Sequence, residues 1–283
     1  MEKWKTVSDL IEQIGESIIQ HGKNNNRIYL MDYASSDGRT LAKELIQLSR
    51  KKNYTKIFAK VPKLHQRAFI DEGYFIEAEI KNYCEGKRDY VFLAKYFDES
   101  RKNPKNKELI ENVINTALKK KNDPTCLKLD NTMHFRALTP HDKTSLARLY
   151  RTVFETYPFP IHKEEYIEKT MAENISYFGI FHGDDLIAAS SAEKNIKCKN
   201  AEMTDFAVLS KYRGQNLSSL LLNEMEKVMK IEGFKTLYTI ARSVSFGMNT
   251  TFAKAGYNFS GTLFSNTQIS GSFESMNVWY KNL

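Results

Sequence analysis

The stretch that decides the fold is Glu202-Met203-Thr204-Asp205-Phe206-Ala207-Val208-Leu209-Ser210-Lys211-Tyr212-Arg213-Gly214-Gln215-Asn216-Leu217-Ser218-Ser219-Leu220-Leu221-Leu222. It begins as a strand over residues 201–209, breaks into a short polar turn, and enters a long amphipathic helix over 217–232. A turn rich in Arg, Gly, Asn and Ser at such a junction aims free main-chain N–H groups and the positive helix end at one point. That makes a cradle for a pyrophosphate. An ordinary strand–helix connection has the same outline, so the order of the flanking elements carries the choice.

Downstream, the pattern predicts a strand at 235–241, a helix at 249–255 and strands at 262–269 and 275–281. Upstream it predicts a strand at 134–138 and a helix at 143–154, opened by Thr139-Pro140. A second helix follows at 164–173. Strands at 177–181 and 186–194 then form a hairpin through His182-Gly183-Asp184-Asp185. Further back lie a strand at 27–31, a helix at 38–52, a strand at 56–61, a helix at 64–72 and strands at 74–80 and 90–96. Trp4, Val7, Leu10, Ile11 and Ile14 among acidic residues read as one amphipathic helix in the first twenty.

Between these parts, Asp98 to Pro104 is polar and rich in breakers. Leu109, Ile110, Val113, Ile114, Ala117 and Leu118 then form one helical stripe, stopped by Asn122-Asp123-Pro124. The expected organisation is an α/β amino-terminal part (1–98), a connector helix (99–132) and a larger α/β part (133–283). A repeat links the two. Residues 55–61 lead to Phe69-Ile70-Asp71-Glu72-Gly73-Tyr74, and residues 236–241 lead to Phe252-Ala253-Lys254-Ala255-Gly256-Tyr257. In each, a helix ends Phe-x-x-x-Gly-Tyr and two strands follow, as a duplicated half-domain would.

The 283 residues fit about two domains. Their composition, 41% hydrophobic and 27% charged, excludes collagen-like, disordered and disulfide-scaffold classes. No apolar run approaches the ~20 residues needed to span a bilayer, and the start lacks the apolar core of a signal peptide. Cys84, Cys126 and Cys198 are far apart and unpaired by spacing, so reduced thiols in a cytoplasmic protein are expected. No histidine spacing suggests a metal site. The net charge of +8 favours anionic partners. Arg50-Lys51-Lys52 and Lys119-Lys120-Lys121 fit solvated last turns of helices instead of a nucleic-acid stripe. The oligomeric state stays open.

The central segment resembles the coenzyme loop of the GNAT acetyltransferase superfamily, Arg/Gln-x-x-Gly-x-Gly/Ala, here Arg213 to Ser218 with Asn216 and Ser218 at the two small positions. The element order over about 133–283 matches that superfamily. The strings at 201–208, 241–257 and 261–281, together with 54–61 and 72–80, resemble the β-lysine N6-acetyltransferase family. The resemblance implies a GNAT fold at the carboxyl end with a smaller amino-terminal α/β part, which the repeat would make a degenerate half-copy. It implies acetyl transfer from acetyl-CoA, with no metal, to the terminal amine of β-lysine, giving a neutral osmolyte. It also implies a lysine aminomutase as pathway neighbour.

The same resemblance assigns coenzyme contacts to Phe206, Ala207 and Val208 on the strand and to Arg213, Gly214, Gln215, Asn216, Leu217, Ser218 and Ser219 on the loop. An alkylammonium of pKa ~10.4 is no nucleophile until deprotonated, so a carboxylate must take its proton. Glu202 is the first candidate and Asp205 the second; three apart, they face opposite ways unless a bulge intervenes. The Tyr that protonates the thiolate in many GNAT enzymes falls at Phe252, and the frequent Asn at Ser245, so no general acid is assigned. Arg242 is the candidate for the substrate carboxylate, and Asn249, Glu274 and Asn277 for its second ammonium. Rival readings are transfer to another small amine, a catalytically silent CoA-binding regulator and, from charge alone, a nucleic-acid binder. The amino-terminal part is expected to stack on the acetyltransferase sheet and wall the amine cleft.

Overall fold

The computed structural model describes residues 9–34, 36–121, 128–269 and 271–283. Two mixed sheets dominate. The first holds β1 (Leu10–Ile14), β2 (Ser17–Gly22), β3 (Arg27–Asp32), α1 (Gly38–Lys52), β4 (Lys56–Pro62), α2 (Gln66–Ile70), β5 (Phe75–Cys84) and β6 (Arg88–Tyr96), with strand order β1-β2-β3-β4-β6-β5. The short α3 (Glu99–Lys102) and the connector α4 (Lys107–Lys119) follow. The second unit runs β7 (Met133–Ala137), α5 (Lys143–Val153), α6 (Glu164–Ala172), β8 (Ile175–His182), β9 (Asp185–Asn195), β10 (Asn200–Val208), α7 (Leu217–Ile231), β11 (Thr236–Arg242), α8 (Phe246–Lys254), β12 (Asn258–Ile269) and β13 (Ser272–Asn282). Its order is β12-β13-β11-β10-β9-β8-β7. The mixed α/β class is as expected.

The first twenty residues depart from the expected helix: residues 10–22 form the β1–β2 hairpin, turning at Gly15 with φ +58°. Leu10 and Ile11, two members of the apolar stripe, stand 59% and 60% exposed. Strand pairing overrode a pattern that has no buried face to serve. Residues 1–8 and the Asn122-Asp123-Pro124 stop lie outside the described residues. No helix among the described residues is long and apolar enough to cross a membrane.

The two sheets repeat one topology. In each, three antiparallel strands (β1–β3, and β8–β10 beside the additional edge strand β7) lead through a helix to a parallel neighbour, then through a second helix to a hairpin whose last strand inserts in the middle. The hairpins even share their irregularities: register breaks fall at Ile76/Ala78 and Ile80/Cys84 in one, and at Phe259/Gly261 and Leu263/Thr267 in the other. Phe69 and Phe252 each meet the Tyr after the helix-ending glycine edge-on, at 5.3 and 5.0 Å. Those glycines, Gly73 and Gly256, need φ of +80° and +84°, which a Cβ would resist.

The sheets pack face to face. Phe58, Ala78, Ile80, Tyr83 and Phe92 meet Tyr238, Leu263, Met276, Val278 and Tyr280. The alternate residues, such as Ile57, Val61 and Leu93, face α1 and α2. Likewise Met203, Leu237 and Trp279 face α7, α8 and the connector's Ala117. Period-two alternation therefore gives each sheet one helix-covered and one sheet-covered face. The contacts are reciprocal. Arg27 and Asn200, which open the two parallel ladders, donate to the carbonyls of Asn266 and Tyr83 in the opposite half. Their ladder partners Lys56 and Thr236 donate to Phe264 and Asn82, at 2.8 and 2.7 Å.

Cys84 and Cys198 form a disulfide between the two halves. This corrects the expectation of reduced thiols. Their wide sequence spacing hid a pairing that the stacking of the sheets creates. Cys126 is outside the described residues.

Candidate active site

Parallel pairing of β10 with β11 ends at Glu202↔Tyr238, although both strands continue. Beyond that point they splay. The main-chain groups on this edge of β10 thus have no strand partner and line a gap. Two adjoining clefts open on either side of it, sharing Phe206, Arg242, Ser245 and Met248.

The first cleft, of about 810 Å3, runs to the start of α7. Gly214 holds φ +82° and Asn216, the helix cap residue, φ +58°, so the loop needs the two residue types most tolerant of that region. No side chain caps α7, and its first-turn amides stay available. Arg213, Gly214, Asn216, Leu217, Ser218 and Ser219 line this cleft, with Phe206 and Val208 from β10. Gln215 does not line it, and Ala207 is buried beneath α5. A diphosphate fits this concave array of amides. Thr116 and Lys120 of the connector also line it, so one lysine of the solvated helix end at 119–121 stands at the cleft mouth. That placement was hidden because it depends on α4 docking against α8.

The second cleft, of about 530 Å3, lies on the inner face of the sheet. Its lining joins Thr204 and Asp205 of β10, the β11 end from Thr239 to Arg242, Thr267, Ile269 and Met276 of the last hairpin, and the 153–158 loop after α5. A bulge between Thr204 and Ala207, with Asp205 at φ +56°, brings the two candidate carboxylates to one side. Glu202 stands opposite Glu193 on β9, while Asp205 is bonded by Ser191, two residues along the same strand.

Only Asp205 of the two lines the cleft. It is 7% exposed and accepts hydrogen bonds from Ser191 Oγ (2.6 Å) and from the Tyr157 hydroxyl. Burial raises its pKa, against the pull of those donors. Burial also raises Glu202, to about 7, opposed by the Lys60 charge and by hydrogen bonds from Tyr238 and the Ile240 amide. Glu202 thus sits under the floor of the cleft at Ile240, facing the amino-terminal sheet. Tyr157 escaped the sequence reading because its loop shows no periodicity; only the aromatic-proline run Tyr157-Pro158-Phe159-Pro160 marked it as ordered.

The candidate substrate residues divide. Arg242 lines both clefts, but its guanidinium forks onto Glu274 at 2.6 and 2.5 Å, so the two predicted ligands satisfy each other. Asn249 and Asn277 are fully buried. Asn249 donates to the carbonyls of Arg242 and Ser245 and accepts from Asn277 and Trp279. With all four amide positions used, Asn249 fixes the β11–α8 turn and leaves nothing for a ligand; Asn277 accepts in turn from Thr262. Phe252 lines the second cleft edge-on to Phe206 at 5.6 Å and brings no hydroxyl. Ser245 caps α8 by accepting from the Met248 amide. Among the described residues, none of the amino-terminal sheet lines the second cleft. That half supports the wall from behind.

Residues 145–257 match the Acetyltransferase (GNAT) family model. The chain is 44% identical over 271 residues to the beta-lysine N(6)-acetyltransferase of Methanococcus maripaludis, covering 96% of this chain and 98% of the relative. It is 35% identical over 276 residues to N-acetyltransferase YodP of Bacillus subtilis, covering 94% and 96%. It is 31% identical over 231 residues to the beta-lysine N(6)-acetyltransferase of Methanosarcina mazei, covering 75% and 85%.

Proposed function

Because the chain belongs to the beta-lysine N(6)-acetyltransferase family of GNAT acetyltransferases, we propose that it moves the acetyl group of acetyl-CoA to the terminal amine of β-lysine. The carrying observation is the splayed β10–β11 gap joining a phosphate-type cleft to a cleft with a buried carboxylate. The α7 amides, Arg213 and Lys120 hold the coenzyme's phosphates, and the unpaired β10 edge holds the pantetheine arm. The thioester then lies in the gap. The amine enters from the other side, loses its proton to Asp205 and attacks the carbonyl, whose developing negative charge is met by main-chain N–H groups of the β10 edge. Tyr157 and Ser191 orient Asp205. The thiolate leaves without a tyrosine donor, as its pKa near ~8.5 allows.

The placement of Asp205 favours it over Glu202 as the base. The reading also places the enzyme in the cytoplasm, with its acetyl donor, and requires no metal. The test is CoA release with β-lysine, putrescine, spermidine and α-lysine offered in competition. β-Lysine is expected to be used first. Tight CoA binding without turnover of any amine would instead indicate a catalytically silent CoA-binding protein.

A further inference from the structure

The acceptor needs a cation near its carboxylate end, and Arg242 is already neutralised by Glu274. Neighbouring strands lie about 4.8 Å apart, so Thr267 on β12 is about 10 Å across the sheet from the reacting gap, comparable with an extended six-carbon chain. Behind Thr267 lies a bulge, residues 264–266, whose carbonyls all accept from buried cations of the other half or the segment after it. Lys56 Nζ donates to Phe264 O at 2.8 Å and Arg101 Nε to Ser265 O at 2.9 Å, while Arg27 Nη1 donates to Asn266 O. Arg27 Nη1 also reaches Thr267 Oγ1 at 3.4 Å, and Arg27 Nε has no partner among the described residues.

Lys56, Arg101 and Arg27 are 0%, 3% and 6% exposed. One carboxylate, Glu77, opposes them by direct contact, while those of Asp9 and Asp98 act on Arg27 and Arg101 through space. Glu77 pairs with Lys56 at 3.0 Å and accepts from the Phe264 amide and Tyr96. At the pseudo-equivalent bulge neutral Asn200 and Thr236 donate to the carbonyls of Tyr83 and Asn82, and Asp89 accepts from the Asn82 amide. Carbonyls need donors, but they do not need three cations. Arg27 reaches the cleft-lining Thr267 and keeps Nε unbonded among the described residues, so a negative group at that wall offsets part of the cost of its burial.

We propose that Arg27, acting through Thr267 and supported by Lys56 and Arg101, is the positioning residue by which the amino-terminal half selects acceptors bearing a carboxylate. The inference rests on the acetyltransfer reading above and adds where its acceptor specificity is set. The carboxylate docks at Thr267 Oγ1, whose hydroxyl is held by the guanidinium, and the terminal amine then reaches the gap.

The test compares β-lysine with 1,4-diaminopentane, the same diamine without the carboxyl group, in the full chain and in Arg27→Gln, Arg27→Lys and Thr267→Val. Arg27→Gln keeps a donor for Asn266 but removes the charge. It is expected to raise KM for β-lysine at least about tenfold, leaving KM for acetyl-CoA and kcat/KM for 1,4-diaminopentane unchanged. Arg27→Lys should restore much of the loss, and Thr267→Val should reproduce it in a chain whose core is intact. Equal losses for both amines, or no change with β-lysine, would overturn the inference. A wild-type protein that ignores β-lysine would instead remove the acetyltransfer reading itself.

Discussion

At Asp205 the main chain enters the left-handed region, and that single φ turns a strand carboxylate into the wall of a cleft. Asp tolerates this conformation better than most residues, so one residue supplies both the bulge and the proposed base. Asp205→Asn is expected to lower kcat at least about a hundredfold, whereas Glu202→Gln lowers it less than about tenfold. The base must be unprotonated, and burial holds the Asp205 pKa above its ordinary value. Turnover should therefore rise with pH as Asp205 loses its proton, and the Asn variant should lose that limb in a pH–rate profile. Glu202 acts on stability in the opposite direction. Its pKa is about 7 folded against 4.5 unfolded, so the folded state keeps the proton longer and stability falls as pH climbs through that window. Melting of Glu202→Gln at pH 5 and pH 8 should show less of this fall.

At the scale of elements, the loop into α7 was readable because its chemistry is local. Gly214 and Asn216 sit where positive φ is required, and the helix behind them is uncapped by side chains. Gly214→Val forces a β-branched residue into that region at a cost of about 1–3 kcal/mol. It should raise KM for acetyl-CoA about tenfold or more, with KM for the amine unchanged, as initial rates over both substrates would show. The later helices and strands and the repeated Phe-x-x-x-Gly-Tyr endings were legible for the same reason: periodicity and caps are written in neighbouring residues. The β1–β2 hairpin was not, because the spacing of Leu10, Ile11 and Ile14 fits a helix and only strand pairing rejects it. Tyr157, Lys120 and the clamp around residues 264–266 were also out of reach. Each joins the site through a fold that brings distant segments together, and Asn249, polar and near a strand end, is drawn into the core by that fold.

For the whole molecule, the repeated topology raises the question of a second coenzyme site. The answer lies at α1, where Asp37 accepts from the amides of Arg39 and Thr40 and fills the place a phosphate would take. One CoA per chain is the expected stoichiometry in calorimetry; two would contradict the assignment of α7 as the sole cradle. The halves are held by the sheet-to-sheet core, the reciprocal side-chain contacts and the Cys84–Cys198 link. Near their meeting axis Ser260 Oγ donates to Glu79 O and accepts from Glu79 N. There a Cβ on Gly261 would come within 1.9 Å of the Glu77 carbonyl oxygen. Such close approach leaves no room for a residue with a side chain. Tethering makes the encounter of the two halves automatic, so what the contact asks of the first half is its outline. That half is a brace, and natural variation there should follow fit against its twin more closely than any demand of chemistry.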